Sequence, residues 1–170
     1  YTYKNAYKET DVVQTNYDYK VKEELIFHKP GHPLTFNYEL GNLENFVVEE
    51  DEDGNIIFHN KQLFEKQGEF THLSRVFTIP TPFVEDARKT RSFGAVATVL
   101  DDVIGRLTIT VDEDWLKTAR YPVTLDPTVE INVLNLHSHP SAGDQWKVSF
   151  TTTGKADLRI IPDDQATIEE

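Results

Sequence analysis

The residues with the clearest chemical potential lie in one short segment near the C-terminus, which contains two histidines and an aspartate: His137, His139 and Asp144. The two histidines are separated by a single residue, so their side chains share a face if the segment is extended. Imidazole and carboxylate groups are ligands that zinc binds in proteins. The first interpretation of the segment is a polar turn between strands. The alternative is a candidate metal site of these three residues, within one chain or at an interface between chains.

The order of residues in this segment, HSHP at 137–140 followed by Ser141 and Asp144, resembles the zinc motif of the JAB/MPN metalloproteases. In that family two histidines and an aspartate bind zinc, and a separate glutamate activates water. This sequence departs from the pattern, because Ser141 follows the proline directly and Asp144 leads into a predicted strand at Trp146. A zinc metallopeptidase is therefore the third of three functional hypotheses.

A second candidate cation site lies between two apolar runs, where Asp51, Asp53 and Asn55 supply oxygen atoms at alternate positions. An EF-hand calcium loop needs a glycine after its third oxygen ligand and a later glutamate. Here Gly54 comes one residue early, and Lys61 stands where the glutamate would be. The Asp-Gly-Asn sequence equally indicates a hairpin turn. We predict no cofactor, with a structural calcium or zinc ion as the alternative.

Composition excludes several kinds of function. The chain has no cysteine and carries 29 acidic against 17 basic residues, a net charge of −12. Binding to nucleic acid or to an anionic membrane requires a basic face. No nucleophile elbow and no glycine-rich phosphate loop occurs in the sequence. We therefore predict a protein that is not an enzyme, has no nucleic-acid partner and does not insert into a membrane.

Hydrophobic alternation predicts the fold. Apolar and polar residues alternate through 36–40 and 107–111, as in strands with one buried face. About eight such strands occur by residue 127, and the alternation of strands with long helices that a parallel sheet requires is absent. The sequence predicts an all-β protein: an antiparallel β-sandwich, jelly-roll or Ig-like, with one short helix and a small C-terminal β extension. The polar segment 61–70 is predicted to be a loop.

The short helix is predicted within residues 107–127. Asp112 follows a strand and is suited to cap a helix, while Glu113 and Asp114 place negative charge in its first turn. Trp115 begins an apolar stripe, and the helix must end before Pro122. A returning strand follows and closes at the Asp-Pro pair 126–127.

The same segment carries a resemblance. The pattern W-L-x(3)-R-Y-P-V-x-L-D-P at 115–127, together with Y-K-N-A-Y and K-E-E-L-I-F within 3–27, resembles a β-rich module of large secreted bacterial and environmental surface proteins. Some of those proteins contain RHS repeats. The resemblance implies a secreted, extracellular or cell-surface location and offers no catalytic residues. Because Tyr1 is not a start residue, we expect a processed protein or a fragment of a longer one.

The apolar pattern restarts after Pro127 and predicts three further strands, the second of them at Trp146, Val148 and Phe150. Three strands in so short a segment do not easily form a core of their own. We therefore predict two parts: a β-sandwich module at 1–127, and an extension at 128–170 that docks on it or is completed by a neighbouring copy.

The leading hypothesis is a non-enzymatic extracellular structural or assembly protein, part of a surface layer, a filament or a large surface protein. Its expected partners are copies of itself or neighbouring modules, joined by β-strand addition through segment 1–19 or through the strands in 129–161. The second hypothesis is an adhesive or carbohydrate-binding module in which exposed aromatic side chains contact glycans.

Overall fold

A computed structural model describes residues 1–17, 20–72, 74–131, 145–149 and 159–163 of the 170-residue chain. Every strand pair in the described part is antiparallel, and the predicted all-β sandwich is confirmed. The strands are β1 Thr2–Tyr7, β2 Thr10–Tyr17, β3 Lys20–Phe27, β4 Thr35–Glu39, β5 Phe46–Glu50, β6 Ile56–Asn60, β7 Arg75–Ile79, β8 Phe83–Glu85, β9 Arg91–Ser92, β10 Val96–Asp101, β11 Arg106–Val111, β12 Val123–Asp126, β13 Val129–Ile131, β14 Gln145–Ser149 and β15 Arg159–Asp163.

Two sheets enclose the core. The larger has ten strands, in which β3 lies between β2 on one side and β12 and β13 on the other. The smaller sheet is formed by β10, β11 and β4 in that order. In β4 and β11 alternate residues are buried in the core, as the sequence pattern predicts. The largest fully buried core side chains are Phe27, Phe36, Phe58, Phe77, Leu25, Ile79, Ile109 and Leu125.

Aromatic contacts tie the two sheets together. The ring of Phe27 in the large sheet stacks on that of Phe36 in the small sheet, with centroids 5.7 Å apart. At the other end of the large sheet, Phe58 and Phe77 stack at 4.2 Å, and the edge of Phe46 packs against both. Such pairs add to the free energy gained from burial of the rings.

The chain crosses the predicted boundary at residue 127 without leaving the large sheet. β12 pairs with residues 25–27 of β3, and β13 pairs with residues 20–21 of the same strand. On its other side β13 pairs with β7. Val129 is buried in the core. The first strand of the predicted extension is therefore a central strand of the module, while the division into two parts stays a prediction.

The predicted helix is present as α2, Glu113–Thr118. The side chain of Asp112 accepts hydrogen bonds from the N–H groups of Asp114 and Trp115, at 2.7 and 3.4 Å. Leu116 is buried against the core. The peptide bond between Tyr121 and Pro122 is cis. N-cap chemistry and the proline thus locate this helix correctly from the sequence.

The prediction of a single helix and of a loop at 61–70 is wrong. A second helix, α1, spans Lys61–Gln67. The side chain of Asn60 caps it by accepting a hydrogen bond from Leu63 N–H at 3.0 Å. Gly68 ends it in the left-handed conformation, with φ of 75°. The segment has too few apolar residues to show a helical period, so the capping residues were its only sequence signal. A single 3-10 turn, Leu43–Asn45, precedes β5.

The last two strands form a sheet of their own. Among the strands that the structure describes, β14 and β15 pair only with each other, with Trp146 opposite Pro162 and Val148 opposite Ile160. In the described part of the chain, neither helix has the length and apolar character that crossing a membrane requires.

Candidate functional site

The histidine segment that the sequence singles out, His137, His139 and Asp144, lies outside the described residues. The metal site predicted there stays a prediction. The description resumes at Gln145 with β14, so a strand does follow the segment, as the alternation at Trp146 and Val148 predicts.

The acidic segment forms the turn between β5 and β6. Asp51 Oδ1 accepts hydrogen bonds from the N–H groups of Asp53 and Asn55, at 3.0 and 2.9 Å. Asp51 Oδ2 accepts a third from the Asn55 side-chain amide at 2.9 Å, and Asn55 Oδ1 accepts one from Thr81 N–H at 3.0 Å. The hydrogen bond from the Asn55 side chain is the main cause that lowers the pKa of Asp51. These oxygens are already engaged in shaping the turn.

Elsewhere in the ranges that the structure describes, no three His, Asp or Glu side chains are close enough together to hold a metal ion. The calcium alternative at Asp51, Asp53 and Asn55, and zinc at the histidine segment, therefore stay predictions.

The polar cluster with the most developed geometry was not found from the sequence. His59 on β6 lies between Glu49 on β5 and Ser74, with His59 Nε2 2.8 Å from Glu49 Oε2 and Nδ1 2.8 Å from Ser74 Oγ. Ser74 Oγ also accepts a hydrogen bond from Thr71 N–H at 3.2 Å. Serine, histidine and glutamate in a row are the groups of a nucleophile with its base and an orienting carboxylate.

The tautomer of His59 follows from its partners. An ionised carboxylate only accepts hydrogen bonds, so Nε2 carries the proton and donates to Glu49. Burial lowers the pKa of His59, against the raising effect of Glu49, and favours the neutral ring. His59 Nδ1 is then an acceptor 2.8 Å from Ser74 Oγ, and it shares the one proton of that hydroxyl with Thr71 O, which lies 2.9 Å from Ser74 Oγ.

The burial of the His59–Ser74 pair determines whether a substrate can reach it. His59 and Ser74 are both 0% exposed. The ring of Phe70 covers His59 with centroids 4.7 Å apart, and Phe64 of α1 packs on Phe70 at the same distance. A substrate cannot contact the serine or the imidazole in this arrangement. The cluster fastens segment 61–74 to the outer face of β6, which explains why all five residues of that strand are buried.

The sequence signal for this cluster is weak but present. His59 directly follows the apolar run Ile56–Phe58. Because side chains alternate along a strand, His59 lies with Ile57 on the face opposite the core. A helix covers that face. Without the helix, the sequence indicates only a hairpin strand with a polar end.

A buried carboxylate, that of Asp86, positions the motif at 115–127. Asp86 is 2% exposed and accepts hydrogen bonds from the N–H groups of Arg88, Thr90 and Arg120, at 2.8, 3.0 and 3.0 Å. The guanidinium of Arg88 pairs with Asp86 at 2.7 Å and donates to Thr118 O at 3.0 Å. The hydroxyl oxygen of Tyr121, the next motif residue, lies 3.0 Å from His32 Nε2. The motif residues in these contacts hold the end of α2 against the β8–β9 turn.

Comparison with known proteins gives relatives of one kind. The tRNA nuclease WapA of Bacillus subtilis strain 168 and the tRNA(Glu)-specific nuclease WapA of B. subtilis subsp. natto are each 28% identical to the chain over 142 residues, 77% of its length. The tRNA3(Ser)-specific nuclease WapA of Bacillus spizizenii is 27% identical over the same length. The chain spans only 6% of the length of each relative. No family model and no solved structure matches it.

These names contradict four predictions made from the sequence. The relatives are enzymes, against the prediction of a non-enzymatic structural, filament-forming or adhesive protein. Their named substrate is tRNA, against the predictions of self-association or glycan binding and of no nucleic-acid partner. The same names contradict the zinc metallopeptidase alternative.

Proposed function

We propose that this chain is a module of a large tRNA nuclease, and that the residues that choose the tRNA lie in other parts of that nuclease. The observation that carries the proposal is the match to three tRNA nucleases, two of which are named for different tRNAs. The chain is 28% identical to the nuclease named for tRNA(Glu) and 27% identical to the one named for tRNA3(Ser). Similarity at the same level to nucleases named for different tRNAs supports a role for this segment that the nucleases share.

Charge supports the same division of roles. Contact with RNA phosphates requires lysine and arginine side chains on one face. This chain has a net charge of −12. Other segments of the nuclease then supply the basic surface to which tRNA binds, and this module supplies a folded β-sandwich between or beside them.

The closing motif supports a place in a long, secreted polypeptide. Residues 115–127 resemble the end of a recurrent module of large secreted proteins, and each relative is many times longer than this chain. Asp86 and its hydrogen bonds to Arg88 and Arg120 give the motif a physical role in closing such a module. The secreted location is part of this proposal.

An exchange of segments tests the proposal. In the tRNA(Glu)-specific nuclease, the segment that matches this chain is replaced by this chain, and the purified chimera is incubated with total tRNA. Denaturing gels and probes for individual tRNAs report which species are cut. We expect the chimera to cleave tRNA(Glu) and to spare tRNA3(Ser), because its selecting residues are unchanged.

The matched control carries the corresponding segment of the tRNA3(Ser)-specific nuclease in the same position. It too is expected to keep the tRNA(Glu) preference. A change of preference in either chimera would overturn the proposal. Cleavage of tRNA by the isolated 170-residue chain would also overturn it, since substrate selection would then lie within the module.

A further inference from the structure

We propose that the hairpin β14–β15 docks in a groove at one end of the sandwich of the same chain. The groove, called here the end groove, lies between the 3-10 turn with the start of β5 and the turn that joins β10 to β11. Its lining is mixed: polar residues contribute to it beside the apolar residues Leu40, Leu43, Phe46, Val47, Val48, Val103 and Ile104. This inference does not depend on the proposed nuclease role.

The end groove exposes apolar surface to an unusual degree. Val103 is 90% exposed and Ile104 is 61% exposed, next to each other at the tip of a hairpin. Single exposed apolar residues need no explanation, but neighbouring ones at the rim of a groove indicate a binding surface. A turn that only had to be soluble would carry polar residues here.

The turn that presents these residues is held in one shape. Asp101 Oδ1 accepts hydrogen bonds from the N–H groups of Val103 and Ile104, each at 3.2 Å. Leu40 N–H donates to Gly105 O at 2.6 Å, and Gly105 has φ of +67°. A Cβ atom at Gly105 would lie 2.2 Å from Leu40 O, so only glycine fits. The two apolar side chains are therefore carried by a fixed surface, which lowers the entropy cost of docking.

The chain leaves the sandwich toward this groove. Ile131, the last residue of β13, pairs with Phe77, which pairs with Phe58, which in turn pairs with Val48 in the groove lining. Three ladder steps correspond to about 15 Å across the sheet. β13 runs antiparallel to β7 and so points to the end of the sheet where Phe46 begins β5.

The connection is long enough for the hairpin to arrive there. Residues 132–144 join β13 to β14, and a segment of that length spans up to about 45 Å when extended. Because the hairpin is tethered to the module, its docking is an intramolecular event with a high effective concentration. A second copy of the chain would have to compete with that tether.

The hairpin needs a surface to pack on. An isolated pair of strands is only marginally stable in water. Trp146 and Val148 occupy register positions opposite Pro162 and Ile160, so apolar residue types coincide on alternate rungs of the ladder. That pattern is typical of a two-stranded sheet with one face against a partner. The exposed apolar side chains of Val103 and Ile104, in a groove at the end from which the chain emerges, fit that requirement.

Hydrogen exchange measured by mass spectrometry on the full 170-residue chain tests the proposal. In the parent chain the amides of β14 and β15 are expected to exchange at least about 10-fold more slowly than in an unstructured peptide. The double variant V103D/I104D places two charges in the groove, and there the same amides should lose that protection. Peptides covering β11 report whether the sandwich itself is intact.

The matched control is V99D. Val99 is 63% exposed on β10 but lies outside the groove lining, so the same charge there should leave the hairpin protected. Three results would overturn the proposal: hairpin amides that are unprotected in the parent chain, protection that survives V103D/I104D, and protection that disappears on dilution. The last would assign the groove to a second copy of the chain.

Discussion

The carboxylate of Asp86 accepts a hydrogen bond from the backbone N–H of Arg120 at 3.0 Å, and so joins two segments that lie 34 residues apart in the sequence. The same carboxylate also accepts hydrogen bonds from Arg88 and Thr90. One buried side chain therefore fixes both the β8–β9 turn and the chain that leaves α2. Burial alone would raise the pKa of Asp86, but these hydrogen bonds hold it well below its ordinary value.

Replacing Asp86 by asparagine should destabilise the protein strongly. The amide keeps the shape but turns an NH2 group toward backbone donors, leaving buried groups without acceptors. The neighbouring variant Glu85→Gln is the control, because Glu85 makes surface ion pairs with Lys89 and Arg91 that contribute little. In urea unfolding, the midpoint should fall several-fold more for Asp86→Asn than for Glu85→Gln. Equal effects would contradict the role of Asp86.

The pKa of a second buried carboxylate, that of Glu23, is shifted in the direction opposite to the pKa of Asp86, which predicts a different dependence of stability on pH. Glu23 is 3% exposed and accepts hydrogen bonds from Tyr38 Oη and Gln14 Nε2, at 2.8 and 2.7 Å. Burial raises its pKa above the ordinary 4.5 despite those donors. The folded state therefore binds this proton more tightly than the unfolded chain does. Its contribution to stability should fall as the pH rises from 4.5 through the raised pKa.

Glu23→Gln should remove that part of the pH dependence. Urea midpoints of both proteins between pH 4 and 7 (roughly the range in which a raised carboxyl pKa acts) provide the measurement. Tyr38→Phe removes the hydroxyl donor and should cost about 2 kcal/mol at neutral pH, as for other hydrogen bonds to charged groups. A Glu23→Gln profile parallel to that of the parent would show that Glu23 does not titrate there.

Acidification should loosen the cover formed by α1. The pKa of His59 is lowered from 6.5, chiefly by burial, so its contribution to stability is complete above pH 6.5 and is lost as the pH falls through the lowered pKa. We expect faster amide exchange in segment 61–72 at pH 5 than at pH 7, after correction for intrinsic rates. His59→Gln should abolish this difference and cost about 1–3 kcal/mol overall. The exposed His72 supplies the control variant, His72→Gln.

Gly105 at the tip of the β10–β11 hairpin and Gly94 should differ in how much their replacement by alanine destabilises the protein. Gly105→Ala combines a positive φ with a clash against Leu40 O, and should cost at least about 2 kcal/mol. Gly94→Ala meets no atom within 4 Å and should change the free energy of unfolding by less than about 0.5 kcal/mol. Thermal unfolding of the two variants distinguishes them. A tolerated Gly105→Ala would show that the turn is adaptable.

The sequence predicted those elements whose signal is local. Alternation located β4 and β11, and the Asp112 cap with Pro122 located α2. The sequence did not predict α1. Asn60 and Gly68 cap this helix, but its only apolar residues are Leu63 and Phe64. A helix that short depends on tertiary packing against β6, and no local pattern reports such packing.

The partners of the buried polar groups could not be predicted either. His59 meets Ser74 and Glu49 because two strands and a loop converge, and Asp86 meets Arg120 across a long separation. The function was predicted wrongly because net charge and composition do not identify an activity, and the chain has no catalytic motif that the sequence analysis recognised, whereas its relatives are named tRNA nucleases.

The position of β13 determines how the module should respond to force. Among the described strands, β1 pairs with β2 alone, so a pull on Tyr1 should open the hydrogen bonds between these two strands one after another at low tension. A pull on Ile131 instead loads a strand bonded on both sides, to β3 and to β7. In an optical trap the module should therefore lengthen in two steps. The first releases β1, and the second breaks the sheet at its centre.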